Sequence, residues 1–174
     1  MNRTTTGLLR LHEALRTGSC WLARIAGLLL IGVALLTAGG VVLGLMGVEA
    51  RFSPEIAGYT LAVVSSWAFA HALHERAHVR IEWLLHCTPR LISAWLDSLA
   101  ALALAITGVV MAGAAAELLL TSYAGQTRAN TPLQTPLAAP QALWVFGMIW
   151  FSVNAVVQLA VQIAITVNPA VTRS

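Results

Sequence analysis

The sequence predicts an all-α integral membrane protein: one membrane domain, residues 1–174, built as a bundle of four transmembrane helices. Three observations carry this. Of 174 residues, 58% are hydrophobic and 10% charged, and the mean hydropathy is +0.78. A soluble domain carries roughly one quarter charged residues, and at this size could not hide so much apolar surface. Four apolar stretches of about 20 residues or more could each cross a ~30 Å hydrocarbon layer at ~1.5 Å per residue. Short polar breaks separate them, two carrying the Ser-Pro or Thr-Pro pair that opens helices. The net charge of +3 comes from Arg alone, because the chain has no Lys. It is too scattered to predict a nucleic-acid partner, and serves instead to orient the chain.

Residues 1–24 form an arm with Arg3, Arg10, Arg16 and Arg24 against one acid, Glu13. Leu8, Leu11, Leu15 and Leu22 fall at helical spacing, so the arm reads either as an amphipathic interfacial helix or as a disordered basic leader. The first span covers about 25–48 and carries no charge. It is longer than the ~7–15-residue apolar core of a signal peptide, so it is expected to be retained. Gly40 and Gly44 on it form a small-xxx-small pair that hints at close packing.

The second span opens at Ser53-Pro54-Glu55, a cap, a first-turn Pro and an acid at the positive helix end. It is expected from about 54 to 85. That is longer than the bilayer needs, so its charged end, His74 to Glu82, should form a cytoplasmic extension. The third span, about 89–120, opens at Thr88-Pro89, and its Ala- and Gly-rich core suits tight packing. A surface loop, 121–140, holds Pro132, Pro136 and Pro140 and is expected to be extended and stiff. The fourth span covers about 141–167. Asn154, Gln158 and Gln162 are spaced by four, and this polar stripe should meet protein, either inside the chain or in a partner.

Arg distribution predicts direction. Four Arg lie in the arm, three (Arg76, Arg80, Arg90) in the second loop and one (Arg173) in the tail, against Arg51 and Arg128 in the other two loops. Both termini of the multi-pass chain are therefore expected in the cytoplasm, with Trp21, Trp83 and Trp95 near that interface and Trp144 near the other. Cys20 and Cys87 then fall on the reducing side and are expected as free thiols.

The chemistry-bearing stretch is His71 to Glu82, HALHERAHVRIE. His74-Glu75-Arg76-Ala77-His78 matches the H-E-x-x-H zinc signature, in which two His one turn apart bind zinc and the Glu acts as base. That reading makes the chain an intramembrane zinc metalloprotease, with Asp97 as a distant ligand. Against it, four short-looped helices enclose little space, Asp97 is followed by Ser98, not Gly, and Arg76 and Arg80 repel a cation. A second alternative is a haem-binding anchor of a respiratory complex. It requires His on two facing helices, whereas His71, His74 and His78 share one and His12 lies in the arm.

The same stretch resembles the small membrane subunit of tripartite ATP-independent periplasmic (TRAP) transporters. That family has a helix-opening acid, an apolar helix with an embedded Trp, an Arg-Glu-x-x-His-(Ile/Val)-Arg-(Val/Ile)-(Asp/Glu) motif, and a Thr-Pro-rich loop before the last helix. Here these are Glu55, Trp67, Glu75 through Glu82, and Thr131-Pro132-Leu133 through Pro140-Gln141. The family usually has Arg where this chain has His74, and that exchange alone creates H-E-x-x-H. The chain also lacks the family's Arg-Tyr near the end of helix one, and has one acid, Glu55, where two adjacent acids are common.

The resemblance implies a non-catalytic subunit with no metal or cofactor. It would brace a large elevator-type membrane subunit driven by a sodium gradient, while a periplasmic substrate-binding protein delivers an organic acid. Glu75, His78, Arg80 and Glu82, with Asn154, Gln158 and Gln162, are then expected to form structural or partner-subunit interfaces. Glu55, Thr131, Pro132, Pro136 and Pro140 are expected to dock the binding protein.

Overall fold

The computed structural model describes residues 3–47, 53–75, 90–131 and 133–167. Four helices fill almost all of this: α1 (Arg3–Leu45), α2 (Ser53–His74), α3 (Arg90–Ala124) and α4 (Ala138–Val167). Each is long and apolar enough to cross a membrane. α1 and α3 run away from the end of the bundle that holds the chain termini, and α2 and α4 return to it.

α1 is a single helix of 43 residues, about 64 Å at ~1.5 Å per residue. The arm is therefore helical and continuous with the first span, rather than a separate helix. No Pro lies between Arg10 and Ile25, and Thr17-Gly18-Ser19 stays inside the helix. Its far end closes on Gly47, at φ +82°, with Gly47 N–H donating to the Gly44 carbonyl at 3.1 Å. Within this chain Gly44 seats no neighbouring helix: a Cβ there would meet nothing within 4 Å.

α2 is described as far as His74, with Glu75 in a turn, and the expected end at Leu85 lies outside the described residues. The rest of the expected extension, 76–85, lies outside the described residues, as do His78, Arg80, Glu82, Trp83 and Cys87. Cys20 is a half-buried free thiol on α1.

α3 ends in a Schellman motif: Thr127 N–H reaches the Ser122 carbonyl at 3.0 Å and Gln126 N–H the Tyr123 carbonyl at 3.2 Å. The left-handed residue is Gln126, at φ +48°, and not the neighbouring Gly125. The loop that follows is not extended. It folds back in a small hairpin with an antiparallel bridge between Arg128 and Pro136. Ala129 N–H donates to the Thr135 carbonyl at 3.0 Å and Leu137 N–H to the Thr127 carbonyl at 3.1 Å. Both bonds flank Pro136, so its missing N–H costs the hairpin nothing.

α4 is the central helix, packed along α3, crossing α2 and touching the terminal end of α1. Gly147 makes the α2 crossing possible. A Cβ there would lie 2.7 Å from Trp67 Cδ1 and 2.8 Å from Ser66 Cβ. Gly108 of α3 likewise lets Ser152 Cα come within 3.3 Å of where its Cβ would stand. Small residues repeat along α3: Ala105 packs with Leu73, Phe151 and Ala155, and Ala115 with Val145 and Met148. The loop-end half of α1 has little protein around it, with Leu28, Leu35 and Leu45 about 70–85% exposed.

Candidate functional site

A cluster of polar side chains sits where α1, α2 and α4 meet at the terminal end. At its centre is Asn154, fully buried on α4. His74 Nε2–H donates to Asn154 Oδ1 at 2.7 Å, and the Ser19 hydroxyl donates to the same oxygen at 3.3 Å. Asn154 Nδ2 donates back to the Trp150 carbonyl at 2.7 Å, and Trp150 Nε1–H donates to Ser19 Oγ at 3.0 Å. One amide thus ties three helices, with both its polar atoms used. That is what makes a fully buried Asn tolerable in an apolar bundle.

One turn further along α4, Gln158 Oε1 accepts from His12 Nε2–H at 2.7 Å. The His12 and His74 rings meet edge to face, 5.0 Å between centroids. Arg16 and Glu75 form a looser pair at 3.7 Å, with both side chains about half exposed. Gln162, on the same stripe, is half-buried, and its carbonyl accepts from the Thr166 hydroxyl at 2.9 Å. So Asn154 and Gln158 face helices of their own chain.

Two expectations about the histidines change here. His12 does not lie apart in the arm: the unbroken α1 carries it onto His74. Their rings touch, so no slot for a planar macrocycle separates them, and the haem reading gains nothing from this pair. The H-E-x-x-H reading fares no better. His74 Nε2 is taken by Asn154, and His78 lies outside the described residues. Among the described residues, no group of three or more His, Cys, Asp or Glu side chains is arranged to hold a metal.

A second cluster closes the loop end. Glu55, half-buried in the first turn of α2, accepts from the Tyr59 hydroxyl at 3.0 Å and lies against Thr131 and Thr135 of the hairpin. Pro136 is exposed on the hairpin, and Pro132 lies outside the described residues. Pro140 sits in the first turn of α4 and, with Tyr59 and Trp144, lines a cavity of about 150 Å³. Trp67 is half-buried, donating to the Leu143 carbonyl at 3.0 Å and packing edge-on against Phe146. Glu55 therefore joins α2 to the hairpin, whose Leu133, Gln134 and Pro136 are exposed.

Sequence reasoning missed His12, Ser19 and Trp150. His12, Leu15 and Ser19 recur at three- and four-residue spacing on one face of α1, a periodicity that could have flagged them.

Comparison with curated proteins and with solved structures finds no match. The sequence does match a family over residues 33–164: tripartite ATP-independent periplasmic transporters, DctQ component. The match takes in α1 from residue 33 onward and nearly all of the other three helices, including Asn154, Gln158 and the Glu55 clamp. Four helices long and apolar enough to cross a membrane fit a multi-pass membrane component. The chain is a member of the DctQ family, the small membrane subunit of TRAP transporters.

Proposed function

We propose that this chain is the static brace of a sodium-driven organic-acid transporter. In this reading it holds a large, elevator-type membrane subunit level in the bilayer, and its hairpin helps receive a periplasmic substrate-binding protein. The family match over a four-span bundle is the observation that carries the proposal. The packing supports it. The Asn154 junction and the Gly147 crossing lock α2 and α4 together, and a rigid frame is what a moving partner needs. None of the four described helices is interrupted at mid-membrane, as a transport site would require.

The Arg bias places both termini in the cytoplasm and the hairpin in the periplasm. On that side Glu55 sets the hairpin's position, while Thr131, Pro132, Pro136 and Pro140 shape the docking edge. At the cytoplasmic end Glu75, His78, Arg80 and Glu82 border the partner subunit.

The test is reconstitution. The chain should co-purify with a large multi-spanning protein, and uptake of an organic acid into proteoliposomes should need this chain, a sodium gradient and the binding protein together. Undiminished uptake without the chain would refute the brace. A reporter fused after Ser174 should be active only in the cytoplasm, and periplasmic activity would reverse the topology.

A further inference from the structure

A cavity of about 270 Å³ opens between α1 and α2 at the terminal end, beside the Asn154 junction but separate from it. Its walls include Glu13, Arg16, Trp21, Arg24, His71 and Glu75. Both signs of charge are present, which suits a ligand that is itself a zwitterion. The Arg24 guanidinium lies 5.2 Å from the Trp21 ring centroid, a cation–π contact that holds it at the rim. Arg16 reaches Glu75 at 3.7 Å across the mouth.

Depth argues for the source of the ligand. Arg24 is the last charge before the uncharged run of α1, so it marks the edge of the hydrocarbon. Arg16 stands about 12 Å further out along the helix axis, a distance that crosses the ~5–7 Å polar layer of one leaflet. Trp21, 60% exposed, sits at the level where membrane proteins place their aromatic belt. Trp21, Arg24, Leu28, Ile31 and Leu35 follow a three-four repeat, so one face of α1 runs from the cavity straight down an apolar stripe. Leu28, Ile31 and Leu35 on that stripe are 71%, 60% and 68% exposed.

We propose that this cavity binds the headgroup of an amine-bearing phospholipid, phosphatidylethanolamine in chemical class. Its phosphate sits between Arg16 and Arg24, its ammonium meets Glu13 and Glu75, and its acyl chains lie along Leu28, Ile31 and Leu35. Guanidinium groups suit phosphate oxygens because they donate paired, charge-assisted hydrogen bonds. A soluble phosphate compound would satisfy the same charges but would leave the stripe unused.

The test uses the full-length chain, with any membrane partner it holds, extracted into polymer nanodiscs that keep native lipid. Bound lipid is counted by native mass spectrometry after a detergent wash. We expect one phosphatidylethanolamine retained per chain and at least about a tenfold loss of retention in the Arg16→Ala/Arg24→Ala double variant. Arg10→Ala, which removes a charge on α1 outside the cavity, should retain lipid as the wild type does. Leu28→Ser/Leu35→Ser keeps every charge and tests the stripe independently, so it decides the matter even if the double Arg variant folds poorly; it too should lose lipid. Competition with phosphatidylglycerol, glycerophosphoethanolamine and inorganic phosphate separates the sources, and none should displace the lipid at equal concentration. No retained lipid, full retention by the Leu variant, or displacement by the tailless headgroup or by phosphate would overturn the proposal. Equal retention of phosphatidylglycerol would overturn the assignment of the amine.

Discussion

Replacing Asn154 with leucine removes the amide that holds α1, α2 and α4 together while keeping the number and branching of side-chain heavy atoms. The His74 bond, at 2.7 Å, is short and direct, whereas the Ser19 bond, at 3.3 Å, is at the long limit. Hydrogen bonds between transmembrane helices average ~0.6 kcal/mol and reach ~1.7. His74 would be left with an unpaired N–H, so its bond belongs near the top of that range, about 1.5 kcal/mol. Ser19 keeps the donation from Trp150 and loses about 0.5 kcal/mol. The expected loss is about 2 kcal/mol, measurable by steric trapping in bicelles. A double-mutant cycle of Asn154→Leu with His74→Leu should give a coupling of about 1 kcal/mol. Thr107→Val is the control, because its hydroxyl bonds only the Ala103 carbonyl of its own helix at 2.9 Å; it should change stability by less than ~0.5 kcal/mol. A coupling indistinguishable from zero, or a loss no larger than that of Thr107→Val, would refute the junction as an energetic tie.

Gly147→Ala should force α2 and α4 apart and lower stability by about 1–3 kcal/mol in the same assay, because the new methyl meets Ser66 and Trp67. Gly44→Ala, with nothing within 4 Å of the new methyl, should be neutral or should stabilise by up to ~1 kcal/mol through helix propensity. Gln126→Gly should stabilise by about 1 kcal/mol, read as a rise in thermal midpoint, since it relieves a left-handed non-glycine residue in the α3 cap. Arg16→Ala should cost under ~1 kcal/mol at low salt and less at high salt, because the pair with Glu75 is half exposed.

Much of the fold was legible in one dimension because lipid imposes a one-dimensional rule. A span must be apolar, helical and about 20 residues long, whatever it packs against. The errors lie where that rule is silent. No hydropathy pattern says whether an amphipathic arm bends into the interface or continues as a helix, and here α1 simply continues. Proline was read as a stiffener in the 121–140 loop, but Pro136 occupies a bridge position that needs no N–H. The Gly40/Gly44 spacing points to packing that no helix of this chain supplies at Gly44, while Gly147 seats a crossing without any such spacing. Small-residue spacing shows where helices could approach, and only the partner surface shows where they do.

The polar stripe divides the two sources of knowledge most clearly. Four-residue spacing alone determined that Asn154 and Gln158 share a face, and the cost of burying amides in hydrocarbon required that face to meet other polar groups. Which groups answer them was decided by the tertiary structure. Ser19 and His12 lie 135 and 146 residues away along the chain, and they arrive because α1 stays helical past Arg24 and packs its inner end against α4. Local periodicity follows from backbone geometry and can be read residue by residue. The choice of partner follows from how whole helices cross, a property that no single segment carries.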